Sequence, residues 1–218
     1  MTTDTGPTSN RTGMAAGPAP GQTTGDSRRF NVKGWLLWTA AFVSFPIAGI
    51  AAGLAAGRIN DAIAALAGGL VAGAVIGTGQ WLAARRLLGD PRAWIPATAA
   101  AMGIGLLAGA WAVGYGTSIG ELALMGAITG VPVGAVQAFL LRDRVARSWA
   151  WAAAKPLLWA LGWAVTTAAG IGVDRQYAVF GAFGAITFMA LSGVLLDRLR
   201  AATPAAPSPP HSPATATA

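Results

Sequence analysis

Residues 69–81 read GLVAGAVIGTGQW, an apolar run with a glycine at every fourth position and a glutamine near its end. Residues four apart in an α-helix drift only about 40° around the axis, so Gly69, Gly73 and Gly77 form a ridge on one face. Gln80, three residues further on, falls on the same face. In lipid, a ridge of small residues lets a second helix approach closely. The run therefore predicts a membrane helix that packs through its glycine face.

A second copy of this run lies 57 positions later, where residues 126–138 read GAITGVPVGAVQA. The same offset of 57 relates four further matches, Gln80 with Gln137, Arg85 with Arg142, Trp94 with Trp151, and Gly105 with Gly162. The matching glycines of the second copy are Gly126, Gly130 and Gly134. A third copy keeps only its ending, at residues 195–198. The pattern predicts an internal repeat of one helix, a basic loop and the next helix. Successive units have the same orientation, which favours rotation about an axis near the membrane normal.

The composition is typical of a membrane protein, because hydrophobic residues make up 54% of the 218 and charged residues only 11%. Soluble domains average about 25% charged residues. Six apolar segments are each long enough to cross a hydrocarbon layer of about 30 Å as a helix. They lie at about 35–57, 62–84, 94–115, 121–141, 150–173 and 177–196. We therefore predict an all-α integral membrane protein whose six transmembrane helices form three tandem hairpins.

The two ends of the chain differ in composition from the middle. Residues 1–30 are rich in Thr, Gly, Pro and Ala without apolar periodicity, and residues 201–218 are rich in Pro and Ala. Such segments lack the apolar surface needed to form a core. The first apolar run begins only at Trp35, so no cleaved signal peptide is expected. The predicted organisation is a disordered cytoplasmic tail, a six-helix domain over residues 31–200, and a second disordered tail.

The basic residues are distributed unevenly along the chain. Of the 15 lysines and arginines, 13 fall in or beside the N-terminal tail, the second and fourth connections, and the C-terminal end. Only Arg58 and Arg175 fall on the other side. Because lysine and arginine concentrate on the cytoplasmic side, this bias predicts a bacterial inner-membrane protein with both termini in the cytoplasm. It also explains the net charge of +7, so nucleic acid is not expected as a partner.

Three polar residues inside the spans are candidate functional residues. The side chains of Gln80 and Gln137 lean away from the cytoplasmic end, so they cannot reach water easily. An unsatisfied amide in hydrocarbon costs several kcal/mol, and each amide must therefore bond another helix, the other glutamine, or water in a cavity. We favour bonds between helices over a pore or substrate lining. Lys155 leans toward the cytoplasm and is expected to snorkel, which favours a structural role over that of a substrate counter-ion.

Catalytic chemistry finds little support in the sequence. Asp61, Glu121 and Asp174 lie at outer helix ends, where they could converge as an acid site. We interpret them instead as solvated helix ends, with Asp61 and Glu121 favourably placed at helix N-termini. The chain has no cysteine, and its single histidine, His211, lies in the Pro-rich tail. No catalytic site, metal site or cofactor is predicted.

The pattern Gly-xxx-Gly-xx-Gln-Trp, followed by Arg-Arg and then a tryptophan, resembles one found in uncharacterised bacterial multi-pass membrane proteins. The resemblance covers about residues 69–163 and extends weakly to residue 198, and the second copy departs from it at Ala138. That group offers no function to transfer. We expect a non-enzymatic protein, either a small-solute transporter or channel or a membrane partner protein. Its partners would be the lipid bilayer and either a second copy or another membrane protein. The alternative is a small membrane enzyme acting on a lipid or isoprenoid substrate.

Overall fold

The computed structural model describes Thr2, residues 30–171 and residues 178–203, and all regular secondary structure in them is helical. The helices are α1 Val32–Ala40, α2 Ser44–Ala56, α3 Ala62–Leu88, α4 Pro91–Ala112, α5 Ile119–Leu141, α6 Ser148–Ala168 and α7 Ala182–Ala201. A 3-10 turn, Ala41–Val43, joins α1 to α2. The two predicted tails lie almost wholly outside the described residues.

Within residues 30–171 and 178–203, five helical segments are long and apolar enough to cross a membrane: Val32–Ala56, which combines α1 and α2, together with α3, α4, α5 and α7. The fifth predicted span, at about 150–173, corresponds to α6, which is not among them. Its 21 residues are long enough, since a helix rises about 1.5 Å per residue. However, four tryptophans together with Lys155 and Pro156 lower its hydropathy, and most of these side chains face the protein interior.

The prolines inside the first and fourth spans, Pro46 and Pro132, differ in their effect on the helix. The 3-10 turn lies just before Pro46, whose missing N–H leaves the carbonyl of Phe42 without its helical donor. By contrast, α5 continues through Pro132 as one helix. A third proline, Pro156, lies well inside α6, which begins at Ser148.

The helices pack side by side in chain order, and the row closes into a ring because α7 also packs against α1. Three hydrogen bonds join these two helices: Trp35 Nε1 donates to the Ala190 carbonyl at 2.9 Å, Trp38 Nε1 to Ser192 Oγ at 2.9 Å, and the Asn31 N–H to Asp197 Oδ1 at 3.2 Å. Helices α1 and α7, the first and last of the described residues, thus form an antiparallel pair without a loop between them.

Because neighbouring helices run antiparallel, four parts of the chain meet at one end of the ring. These parts are the start of α1, the α3–α4 and α5–α6 connections, and the end of α7. We call this the basic end, defined by Lys33, Arg85, Arg86, Arg92, Arg142, Arg144, Arg147, Arg198 and Arg200. The connection that contains Arg58 lies at the opposite end.

An aromatic cluster fills the interior of the ring. The Phe180 ring stacks on Phe45 at a centroid distance of 5.1 Å and lies 5.0 Å from Trp159, while Phe188 lies 5.5 Å from both Phe45 and Trp159. Phe180 belongs to residues 178–180, which are buried but not helical. The start predicted for the last span was therefore wrong, since α7 begins only at Ala182. Non-helical backbone is tolerated at membrane depth where protein surrounds it.

Candidate functional site

The two candidate glutamines are joined directly by a hydrogen bond. Gln137 Nε2 on α5 donates to Gln80 Oε1 on α3 at 3.0 Å, and also lies 3.2 Å from Thr98 Oγ1 on α4. Trp151 Nε1 on α6 donates to Gln137 Oε1 at 3.1 Å. We call these four residues the glutamine network. All four are at least 98% buried. Four successive helices, α3 to α6, therefore meet at one polar centre from which bulk solvent is excluded.

The network uses both polar atoms of Gln137. Its amide nitrogen donates to two side chains and its carbonyl oxygen accepts from a third. This arrangement agrees with bonding between helices, which the sequence favoured over the lining of a pore. Neither glutamine lines the cavities found at the two ends of the ring.

The glycines of the repeat lie where neighbouring helices approach most closely. A Cβ atom added to Gly73 would stand 2.7 Å from Ala99 Cα on α4, and one added to Gly130 would stand 2.7 Å from Pro156 Cα on α6. Real Cβ atoms essentially never come so close to backbone. Ala99 and Pro156 are themselves 57 positions apart. The other four glycines face the next helix in the same way, Gly69 against Gly103, Gly77 against Thr98, Gly126 against Trp159 and Gly134 against Lys155.

Lys155 occupies the position on α6 that matches Thr98 on α4. It is fully buried, and its Nζ atom has no hydrogen-bond partner. The ammonium lies 4.2 Å from the ring centroid of Trp151 and 4.5 Å from that of Phe188. The expectation that Lys155 snorkels was wrong, because α6 begins two turns earlier and its face carrying Lys155 is turned inward. Contact with two rings is worth about 2 kcal/mol, whereas burial of an ion costs several.

Trp94 breaks the symmetry of the network. It matches Trp151, but its buried Nε1 atom has no hydrogen-bond partner. The oxygen of Gln80, which the repeat would offer to Trp94, accepts from Gln137 instead. Both tryptophans are visible in the sequence as repeat matches, but the repeat alone assigns no role to Trp151 or Thr98. The spacing of 14 residues from each glutamine to its tryptophan was the available signal.

Two acidic residues of the opposite end, Asp61 and Glu121, take part in helix caps. Asp61 Oδ1 accepts from the Ala64 N–H at 2.8 Å. Glu121 Oε2 accepts from the Ser118 N–H at 2.8 Å, while Ser118 Oγ accepts from the Glu121 N–H at 3.3 Å. These bonds support the capping interpretation over a convergent acid site. Asp174, the third candidate, lies outside the described residues, and within those residues no His, Asp and Glu side chains group as metal ligands.

Two cavities lie at the two ends of the ring. The one at the opposite end has a volume of about 270 Å³ and is lined in part by Asn60, Tyr115 and Trp163. The one at the basic end is larger, at about 520 Å³, and lies between α1, the end of α3 and α7. We call the latter the basic cavity. The aromatic cluster and the glutamine network lie between the two ends.

Comparison of the chain with protein families, with curated proteins and with solved structures gives no match. Its function must therefore be argued from its own residues. The resemblance to uncharacterised multi-pass proteins stays a prediction.

Proposed function

We propose that this chain is a six-pass membrane protein with a non-enzymatic role, acting as a membrane-embedded partner of other molecules and not as an open conduit. The observation that carries the proposal is the direct bond between Gln80 and Gln137. These two glutamines are the residues best suited to line a polar path, but they bond each other instead and so join α3 to α5. The partner would be lipid, a second copy of the chain or another membrane protein.

The chain order of the ring supports counting α6 as a membrane span, which brings the total to six. Helix α5 ends at the basic end, whereas α7 begins at the opposite end, so α6 has to cross between them. The uneven charge of the two ends supports an orientation with both termini in the cytoplasm of a bacterial cell. The matched glycine contacts, 57 positions apart on both of the helices that meet, support a true structural repeat.

A flux experiment tests the choice between partner and conduit. We expect liposomes containing the purified protein to release small ions and polar solutes no faster than protein-free liposomes of the same lipids. Liposomes with an added pore-forming peptide provide the positive control. Release that depends on the protein and changes in the Gln137→Leu variant would instead assign the glutamines to a pathway.

One observation favours a second candidate, a carrier that binds an anionic solute. A fully buried lysine without a polar partner is rare in a membrane, and ionisable residues at such positions commonly serve transport or ligand binding. Under this alternative, small organic anions should raise the melting temperature of the wild type but not of Lys155→Met. We expect no such difference between the two proteins.

A further inference from the structure

The basic cavity has the size of a ligand site. Its volume of about 520 Å³ falls within the range of about 300–1,000 Å³ that is usual for small-molecule pockets. Its walls come from the first turns of α1, the last turns of α3 and the end of α7. These are the helices that the ring brings together without a loop between α7 and α1.

The charged lining of this cavity is strongly positive. Lys33, Arg85, Arg86 and Arg200 line it, against the single acid Asp197. One oxygen of Asp197 already accepts from the Asn31 N–H. Within the part of the chain that the structure describes, none of the four cations forms an ion pair. Their charge is therefore free to attract an anion from outside the protein.

The wall contributed by α3 is unusual because six consecutive residues, 82–87, all line the cavity. Successive residues of a regular helix point about 100° apart, so one face cannot present six in a row. The cause lies at Ala84, which departs from helical geometry with φ −134° and ψ 31°. Trp81, which precedes this break, donates a hydrogen bond from Nε1 to the carbonyl of Gly89, the residue that follows α3, at 2.8 Å. This break lets both Arg85 and Arg86 line the same cavity.

Apolar side chains that face outward line the cavity beside these cations. Leu37 on α1 and Leu82 on α3 both line it, yet they are 53% and 62% exposed. Both belong to segments apolar enough to cross a membrane, so their exposed surfaces face acyl chains. The cavity therefore joins a cationic pocket to a lipid-facing apolar surface. A free phosphate would bind only to the cationic pocket, whereas a phospholipid would also contact the apolar surface.

We propose that the basic cavity binds the phosphate headgroup of an anionic phospholipid, whose acyl chains lie along Leu37 and Leu82. Arginine suits this ligand because its guanidinium group can donate two parallel hydrogen bonds to phosphate oxygens. Basic pockets between transmembrane helices are known to hold anionic headgroups. The site deepens the proposed partner role by naming lipid as one partner, and it does not depend on whether the protein conducts solutes.

The test is native mass spectrometry of the full chain in detergent, titrated with phosphatidylglycerol or with phosphatidylcholine. The cavity variant is Arg85→Gln/Arg200→Gln, and the matched control, Arg92→Gln/Arg198→Gln, removes the same charge from the same end outside the cavity. We expect the wild type to prefer phosphatidylglycerol. The cavity variant should weaken that binding roughly 10- to 30-fold, from about fivefold per basic residue, and the control should leave it nearly unchanged.

The remaining outcomes each decide the proposal. Equal weakening by both variants, or equal binding of the two lipids, would overturn the site. Displacement of the lipid by millimolar inorganic phosphate would show that the cavity takes a soluble anion, and would overturn the assignment to lipid. If the cavity variant proves unstable, Lys33→Gln/Arg86→Gln tests the same cavity with its other two cations. Protein-dependent release of solutes in the flux experiment would contradict the proposed partner role, but it would not change the lipid binding expected here.

Discussion

Gln137 makes more side-chain hydrogen bonds in the buried core than any other described residue. Its partners come from three different helices, α3, α4 and α6. The sequence could predict that Gln80 and Gln137 lie at equal depth and bond within the protein, because the repeat fixes both. It could not predict Thr98 and Trp151 as partners, because their positions depend on how tightly α4 and α6 approach α5. The distance between these helices is set by the contacts of the repeat glycines with the next helix, and those contacts exist only in the folded chain.

Replacing the glutamines should show that they bond each other. We expect Gln137→Leu to lower the free energy of unfolding in detergent by about 1–3 kcal/mol, because three partners lose a bond. Gln80→Leu removes one bond and should cost about 0.5–1.5 kcal/mol. The double variant should cost less than the sum. Thr78→Val, whose hydroxyl bonds only its own helix, is the control; fully additive losses would contradict a direct bond.

Replacing Lys155 should not destabilise the protein. Methionine keeps most of the unbranched stem and removes a buried charge that has no hydrogen-bond acceptor. The lost ring contacts are worth about 2 kcal/mol, which is less than the several kcal/mol that burying the ion costs. We therefore expect Lys155→Met to keep or raise the melting temperature in detergent. A large fall would mean that Lys155 has a bonding partner that this structure lacks.

The helices themselves illustrate what hydropathy can and cannot predict. Apolar runs located the first four spans within a few residues, because each leaves apolar side chains exposed over much of its length. They placed the start of α7 too early, since residues 178–180 are apolar and buried but not helical. They also predicted α6 as an ordinary span, although three of its four tryptophans and its lysine are buried against the rest of the protein. Both differences arise from burial against other helices, which a pattern within one segment does not encode.

The glycine contacts predict which helix positions reject larger side chains. We expect Gly73→Leu and Gly130→Leu each to lower the free energy of unfolding by about 3 kcal/mol, the upper part of the range for overpacked cores. The reason is that the new side chain would meet backbone atoms of the next helix. Gly120 on α5 is the matched control, because a Cβ there has no atom within 4 Å. Unchanged stability in circular dichroism melts of both variants would contradict close helix packing.

At the scale of the whole molecule, the described helices form a ring with a basic end and an opposite end, and its orientation in the membrane can be measured. The chain has no cysteine, so single cysteines can be introduced without removing any. Thr117 and Asp143 are both exposed and lie at different ends of α5. We expect an impermeant thiol reagent to label Thr117→Cys but not Asp143→Cys in intact cells, and both after lysis. The reverse pattern would contradict cytoplasmic termini.

The pairing of α7 with α1 brings the start of α1 and the end of α7 together at a place where the other neighbouring helices are joined by a loop. The Asn31 N–H lies 3.2 Å from Asp197 Oδ1, so a short flexible linker could join residue 201 to residue 32. A circular permutant made this way, and opened at the exposed residues 142–144, should fold into the same ring with a similar melting temperature in detergent. Loss of folding would mean that the ring has to be assembled from α1 onward. Successful folding would show that side-by-side packing specifies the molecule, wherever its covalent order begins.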